Sequence, residues 1–159
     1  MKNDLKLEDA INNKLSGDTQ KNALDLVVFM GANGFSFEWF DEGSAAGWAL
    51  IYKSINIGCI LTFDVDFNLC FGLELDFSNI VPEEDDMKET IWAKLSFCGK
   101  CNDNWETCSG VEKTILGKTF DNLCHSPMCF INPDVKTLEN MKKLLLLLKQ
   151  KRDNMQRTK

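Results

Sequence analysis

The sequence lacks three features that would place the protein quickly in a functional class. Its first residues, MKNDLKLEDA, contain no apolar core, so we expect no secretory signal peptide. Its longest apolar runs, such as the one from Leu144 to Leu148, are far shorter than a membrane span. It contains one histidine, His125, and no complete catalytic signature. These absences favour a binding or interaction module over an enzyme.

Basic residues are scarce outside the C-terminal end. The 159 residues include 18 Lys and Arg against 24 Asp and Glu, for a formal net charge of −6. Residues 142–159 contain seven of the basic residues and one acid, which leaves 11 basic against 23 acidic residues before them. An acidic body repels phosphate backbones, which disfavours nucleic acid as a partner. The basic segment 142–159 is what the dipole of a C-terminal helix favours.

Two helices are predicted near the N-terminus. Leu7, Ile11 and Leu15 recur at helical spacing. Asp18 is expected to cap a second helix that ends near Gly34. The apolar face of this second helix is expected to contain Leu24, Val27, Val28 and Gly31.

An antiparallel sheet of about four strands is predicted next. The stretches FSFEWF, WALIYKS, GCILTFDV and NLCFGLELDF alternate apolar and polar residues, which indicates one core face and one half-wet face. The last two strands are expected to turn at residues 66–68, and the final strand to continue to Phe77. The wet face would carry carboxylates suited to a cationic small molecule, with Thr62 beside them. These carboxylates are Glu38, Asp64, Glu74 and Asp76.

The second half of the chain returns to helix. Pro82 suits the first turn of a helix with an apolar stripe at Met87, Ile91 and Leu95. Two short strands around Ile115 and Phe130 precede a long C-terminal helix. This last helix is expected to bury Val135, Leu138, Met141, Leu145 and Leu148. The sequence therefore predicts a single α+β domain over residues 1–159.

Cysteines cluster in residues 97–125. Cys98 and Cys101 have the C-x2-C spacing of a zinc knuckle, and Gly99 between them suits the bend that a knuckle requires. Cys108 follows after six residues and Cys124 after fifteen more. Four thiolates would hold zinc in a closed, structural site. The predicted ligands are Cys98, Cys101, Cys108 and Cys124, with His125 or Cys129 as substitutes.

Two other interpretations of the cysteines stay open. Cys98 and Cys101 could be a thiol redox or sensor pair, although they follow a helix, where the dipole does not stabilise a thiolate. The cysteines could instead be small buried side chains, which suits the strand positions of Cys59, Cys70 and Cys129. Seven cysteines without an export signal indicate a reducing cytoplasm, where thiols stay free or bind metal.

Two catalytic patterns are incomplete. Cys124 and His125 are adjacent, but neighbours in an extended segment point apart, which disfavours a nucleophile–base pair. Gly117–Lys118–Thr119 resembles the end of a phosphate-binding loop, but Glu112 occupies the position of its first glycine.

The stretches CGKC, ILGKTFDNLC and CFINPDVKTLENMKKLL resemble a group of small uncharacterised bacterial proteins. The resemblance covers mainly residues 92–149 and implies a compact cytosolic α+β domain in which the four predicted zinc ligands form one set. It implies no activity. The expected partner is a small molecule or a protein, and self-association through a sheet edge or the leucine-rich helix stays open.

Overall fold

Over its described residues, the chain forms two helices, four strands, a helix, three strands and a final helix. This computed structural model describes residues 6–43, 45–72, 74–99 and 110–158. In chain order the elements are α1 (Leu7–Lys14), α2 (Gly17–Ala32), β1 (Ser36–Asp41), β2 (Ala46–Tyr52), β3 (Ile55–Phe63), β4 (Asp66–Phe71), α3 (Asp85–Trp92), β5 (Val111–Ile115), β6 (Lys118–Leu123), β7 (Met128–Ile131) and α4 (Val135–Arg157). The predicted class, an α+β domain with N-terminal, middle and long C-terminal helices, is confirmed.

The main sheet has five antiparallel strands in the order β1-β2-β3-β4-β7, and β5 pairs with β6 in a separate hairpin. Two-residue turns set the register of the first strands. Lys53 and Ser54 both have positive φ, at 47° and 65°, as a two-residue hairpin turn of the favoured twist requires. The expected turn at residues 66–68 is wrong. Phe63 pairs with Asp66, so the chain turns at Asp64 and Val65.

Strand β4 is shorter than the alternation predicts. It ends at Phe71 instead of continuing to Phe77, because the chain turns after Gly72 and the Leu75 amide donates to the Gly72 carbonyl. The Asp76 carboxylate then accepts hydrogen bonds from the Ser78 amide and hydroxyl, which fixes a local turn. Glu74 and Asp76 therefore follow the sheet instead of lying on a strand face.

One face of the main sheet carries the core. Trp48, Ile60, Leu69 and Phe130 lie side by side across β2, β3, β4 and β7, and all four are buried. They belong to one hydrophobic cluster with residues of α1, α2 and α4. We call this side the core face and the opposite side the outer face.

Two helices present slightly different faces from those predicted. Helix α2 begins directly after Ser16, so Asp18 lies in its first turn and does not cap it. Its buried residues are Ala23, Leu26, Val27 and Met30. Val28 is 67% exposed and Val135 of α4 is 64% exposed, so both expectations of burial are wrong. Val135 stands at the first position of its helix, before the apolar face begins.

Helix α4 is tied to the rest of the chain by ion pairs, most of them from its own basic residues. Lys142 pairs with Asp25 at 2.7 Å, and Lys151 with Asp76 at 2.7 Å. Asp153 pairs with Lys53 at 2.7 Å and accepts a hydrogen bond from the Tyr52 hydroxyl. The charge asymmetry of the sequence therefore serves contacts within the fold. In the described stretches, no helix combines the length and hydrophobicity that a bilayer span requires.

Truncating a side chain on the core face should cost more stability than truncating one on the outer face. Leu69 on the core face is fully buried, whereas Leu61 on the outer face is half-buried. We expect Leu69→Ala to lower the free energy of unfolding by about 2–5 kcal/mol, because the transfer and cavity terms add. Leu61→Ala, the matched control, should cost less than half as much. Urea denaturation measures both, and equal costs would contradict the one-sided core.

The Asp76–Lys151 pair predicts a pH dependence. The hydrogen bond from Lys151, followed by that from Ser78, lowers the pKa of Asp76 from 3.8 to about 2. Because the folded pKa is lowered, the stabilisation is present above pH 4 and is lost as pH falls towards 2. The carboxyl is largely exposed, so we expect Asp76→Asn to cost at most about 1 kcal/mol at pH 7.

Thermal unfolding between pH 2 and 7 measures this effect. The difference between Asp76→Asn and the unmodified protein should shrink as pH falls from 4 to 2. Glu89→Gln, an exposed change in the middle of α3, is the control. A difference that is constant across this range would show that ionisation of Asp76 is not its source.

Candidate functional site: two groups of cysteines

The first group surrounds an isolated pairing between Phe97 and Leu123, at the end of β6. The Cys98 amide donates to the Asn122 carbonyl at 2.8 Å, and the Cys124 amide donates to the Ser96 carbonyl at 2.8 Å. Cys98 therefore lies opposite Asn122 and diagonally from Cys124 across this pairing. Such diagonal neighbours are about 7–8 Å apart. Two thiolates bound at about 2.3 Å from one Zn²⁺ can span this separation.

Asn122 lies beside both Cys98 and Gly110. Its side-chain amide donates to the Cys98 carbonyl at 3.1 Å, and its φ is +58°. A Cβ on Gly110 would lie only 2.2 Å from the Asn122 Oδ1. Gly99 has φ +100°, so the bend expected directly after Cys98 is present. Cys101 and Cys108 lie outside the described residues, between Gly99 and Gly110.

The remaining predicted ligands are placed differently. Cys124 is 7% exposed, and its sulfur lies 3.2 Å from the Ser126 hydroxyl. His125 is exposed. Within residues 6–43, 45–72, 74–99 and 110–158, no three Cys, His, Asp or Glu side chains are grouped to hold a metal ion. The zinc site and the Cys98–Cys101 redox pair both stay predictions, because each needs residues outside these ranges.

The second group of cysteines contradicts the prediction that Cys129 can serve as a substitute zinc ligand. Cys70 and Cys129 are not separate thiols: they form a disulfide between β4 and β7, with Cα atoms 4.1 Å apart. The two residues are direct partners in the register of these strands. In this state the Cys129 sulfur is bonded to Cys70, so it is not available as the substitute zinc ligand.

A third cysteine lies next to this disulfide. Cys59 on β3 is the direct partner of Cys70, and its thiol is free and half-buried. Burial raises the pKa of Cys59, and the charge of Glu74 raises it further. The row continues to the other edge of the sheet, since Cys59 pairs with Ala49 and Ala49 with Glu38. All five side chains of this row lie on the outer face.

The four carboxylates predicted to form one acidic face lie in separate parts of the fold. Glu38 is exposed on the edge strand β1, and Asp64 lies in the β3–β4 turn. Asp76 is paired with Lys151. Thr62 is 7% exposed and alternates onto the core face, opposite the buried Phe67. The four carboxylates thus do not line one strand face as the sequence predicts, and only Glu74 is coupled to a cysteine.

Comparisons with known proteins add no relative. No protein-family model, no curated protein and no solved structure matches the chain. The resemblance to small bacterial proteins stays a prediction, and the chemistry of the two cysteine groups is the basis for function.

The sequence does contain one indication that Cys59 and Cys70 are partners, but a turn predicted at residues 66–68 does not reveal it. A hairpin turning at Asp64 and Val65 places Cys59 directly opposite Cys70, since each lies the same number of residues from the turn. Cys129 is 59 residues from Cys70, and no local pattern indicates its pairing. The sequence does not predict the role of Asn122, because no local pattern indicates which distant residue an asparagine in a strand contacts.

The coupling of Glu74 to Cys59 predicts how fast this thiol reacts. Because the pKa of Cys59 is raised, we expect slow labelling by N-ethylmaleimide at pH 7 and a steep increase above pH 8. Glu74→Gln removes the like charge, lowers the pKa and should speed labelling at pH 7. Glu38→Gln, in the same row but two strands away, is the control. Mass spectrometry of Cys59 peptides measures the rates, and equal rates in both variants would exclude the coupling.

Proposed function

We propose that this protein is a cytoplasmic binding or interaction module, stabilised by one structural Zn²⁺. The ligands are Cys98, Cys101, Cys108 and Cys124. The observation that carries this proposal is the pairing of residues 96–98 with residues 122–124, which makes Cys98 and Cys124 diagonal neighbours.

The backbone around these two cysteines supports a metal clip. Gly99 bends the chain directly after Cys98, and Gly110 returns beside Asn122. The ten residues between these glycines contain the other two ligands and few apolar side chains. A stretch of this composition has little apolar surface to bury, and bonds to a metal would supply folding free energy in its place. Four thiolates leave no open coordination position, and the zinc would be structural.

The carboxylates with perturbed pKa values support a role in binding over one in catalysis. The hydrogen bond from Lys136 lowers the pKa of Asp86, and the one from Lys53 lowers the pKa of Asp153. The pKa of Asp76 is lowered by Lys151 in the same way. General acids and bases need pKa values near the working pH, and these groups are moved away from it. Each instead anchors helix α4.

The partner we propose is a small molecule or another protein. Nucleic acid is disfavoured because the body is acidic and much of the positive charge of α4 is already engaged. Lys142, Lys143 and Lys151 all pair with carboxylates of the same chain. These basic side chains would have to give up existing ion pairs to contact phosphates.

Zinc content tests the proposal. We expect one Zn²⁺ per chain after anaerobic purification, measured by elemental analysis. Cys124→Ser should lose the metal and lower the Tm by about 10 °C or more, because a structural metal contributes several kcal/mol. Cys59→Ser, in the other cysteine group, should keep the metal.

A zinc chelator added to the unmodified protein separates metal loss from a packing defect at position 124. It should lower the Tm as far as Cys124→Ser does and expose four further thiols. A chain that contains no zinc, or a Tm that is unaffected by the chelator, would overturn the proposal.

A further inference from the structure

Three cysteines occupy directly opposed positions on three adjacent strands of the main sheet. Cys59 lies on β3, Cys70 on β4 and Cys129 on β7, with the pairs Cys59–Cys70 and Cys70–Cys129 both in register. Directly opposed residues point to the same face, so the three sulfurs share the outer face. Cys70 is in the middle and is bonded to Cys129, while Cys59 is a thiol.

The strand geometry places Cys59 within disulfide range of Cys70. The Cα separation of 4.1 Å between Cys70 and Cys129 is that of a pair without mutual backbone hydrogen bonds. The amide and carbonyl of Cys70 therefore point towards β3, and a Cβ on Gly58 would indeed lie 2.3 Å from the Cys70 carbonyl oxygen. Cys59 and Cys70 are then a hydrogen-bonded pair, with Cα atoms about 5.5 Å apart. Disulfides span about 4.4–6.8 Å.

We propose that Cys59, Cys70 and Cys129 form a thiol–disulfide exchange site, in which the disulfide moves between the β4–β7 position and the β3–β4 position. The Cys59 thiol gives its proton to solvent, and the resulting thiolate attacks the Cys70 sulfur. The Cys59–Cys70 bond forms as the Cys70–Cys129 bond breaks. Cys129 leaves as a thiolate and takes a proton from solvent. One disulfide and one thiol are present before and after, so the step needs no external oxidant.

The exchange moves the reactive thiol from an inner strand to the edge of the sheet. Cys70 is 3% exposed and closed to solvent, whereas Cys129 is half-buried on β7, the last strand of the order. The substrates are disulfides of low-molecular-weight thiols, which the Cys129 thiolate attacks to form a mixed disulfide and release one thiolate. In a reducing compartment a disulfide of this kind is usually reversible.

Strand β7 stays attached when its disulfide has moved. Asn132 follows directly after β7. Its backbone amide donates to the Phe67 carbonyl at 2.8 Å, and its side-chain oxygen accepts a hydrogen bond from the Phe67 backbone amide at 2.8 Å. Its side-chain amide also donates to Asp66 at 2.6 Å. These hydrogen bonds keep the Cys129 position in register with Cys70, so the reverse exchange has the same geometry.

Disulfide mapping after oxidation tests whether Cys59 reaches Cys70. In Cys129→Ser, treatment with diamide should convert Cys59 and Cys70 into a disulfide. Cleavage before aspartate separates these two cysteines, because Asp64 and Asp66 lie between them. The control is the triple variant Cys59→Ser, Leu61→Cys, Cys129→Ser, whose new thiol is diagonal to Cys70 and about 7–8 Å away, beyond disulfide range. The thiol introduced on β3 in this control should form no bond with Cys70.

Glutathione disulfide tests the exchange in the unmodified protein. Without added reduced glutathione, we expect glutathione on Cys129 together with a Cys59–Cys70 bond. Cys59→Ser should lower the label on Cys129 by about tenfold or more, because Cys129 then stays bonded to Cys70. Far-UV circular dichroism confirms that each variant is folded.

Two results would overturn the proposal. One is a folded Cys129→Ser variant in which Cys59 and Cys70 both remain thiols after diamide. The other is unmodified protein in which glutathione is found on Cys59 while Cys129 remains bonded to Cys70.

Discussion

The register of β3, β4 and β7 is the constraint on which the rest of the structure depends. Phe63 pairs with Asp66 across a two-residue turn, and this fixes every later pair of the hairpin. Asn132 then binds the backbone and carboxylate at the start of β4, which aligns β7. A shift of one residue would bring polar side chains onto the core face and Leu69 and Phe130 into solvent. The same register aligns the three cysteines, so the core and the reactive site have one origin.

Electrostatic contacts complement this register by positioning α4. Its apolar residues belong to the core cluster, but apolar contacts alone would permit the helix to slide along the core. Lys142, Lys151 and Asp153 bind three separate parts of the body, namely α2, the segment after β4 and the β2–β3 turn. Asn140, which is buried, adds hydrogen bonds to Asp86 and Thr90 of α3. Polar contacts of this kind specify one arrangement even where each contributes little stability.

The sequence predicts elements better than it predicts the contacts between them. Helical spacing and strand alternation depend on neighbouring residues, so the class of fold is correctly predicted. The sequence predicts too long a β4. Leu73, Leu75 and Phe77 continue the alternation of apolar and polar residues, although the chain turns after Gly72. The Cys70–Cys129 bond depends on a strand that returns after 59 residues, and local patterns contain no information about such a return.

A long stretch of chain separates β4 from β7, although the two strands are neighbours in the sheet. Phe71 and Met128 are direct partners, so residues 72–127 begin and end at neighbouring points of the sheet. They form an insertion between two strands that a short turn could join. The main sheet, α1, α2 and α4 lie outside this insertion, whereas α3 and the β5–β6 hairpin lie within it and contribute Met87, Ile91 and Ile115 to the same core. The two cysteine groups are therefore separated by the insertion: Cys98 and Cys124 lie within it, and Cys59, Cys70 and Cys129 lie in the sheet on either side of it.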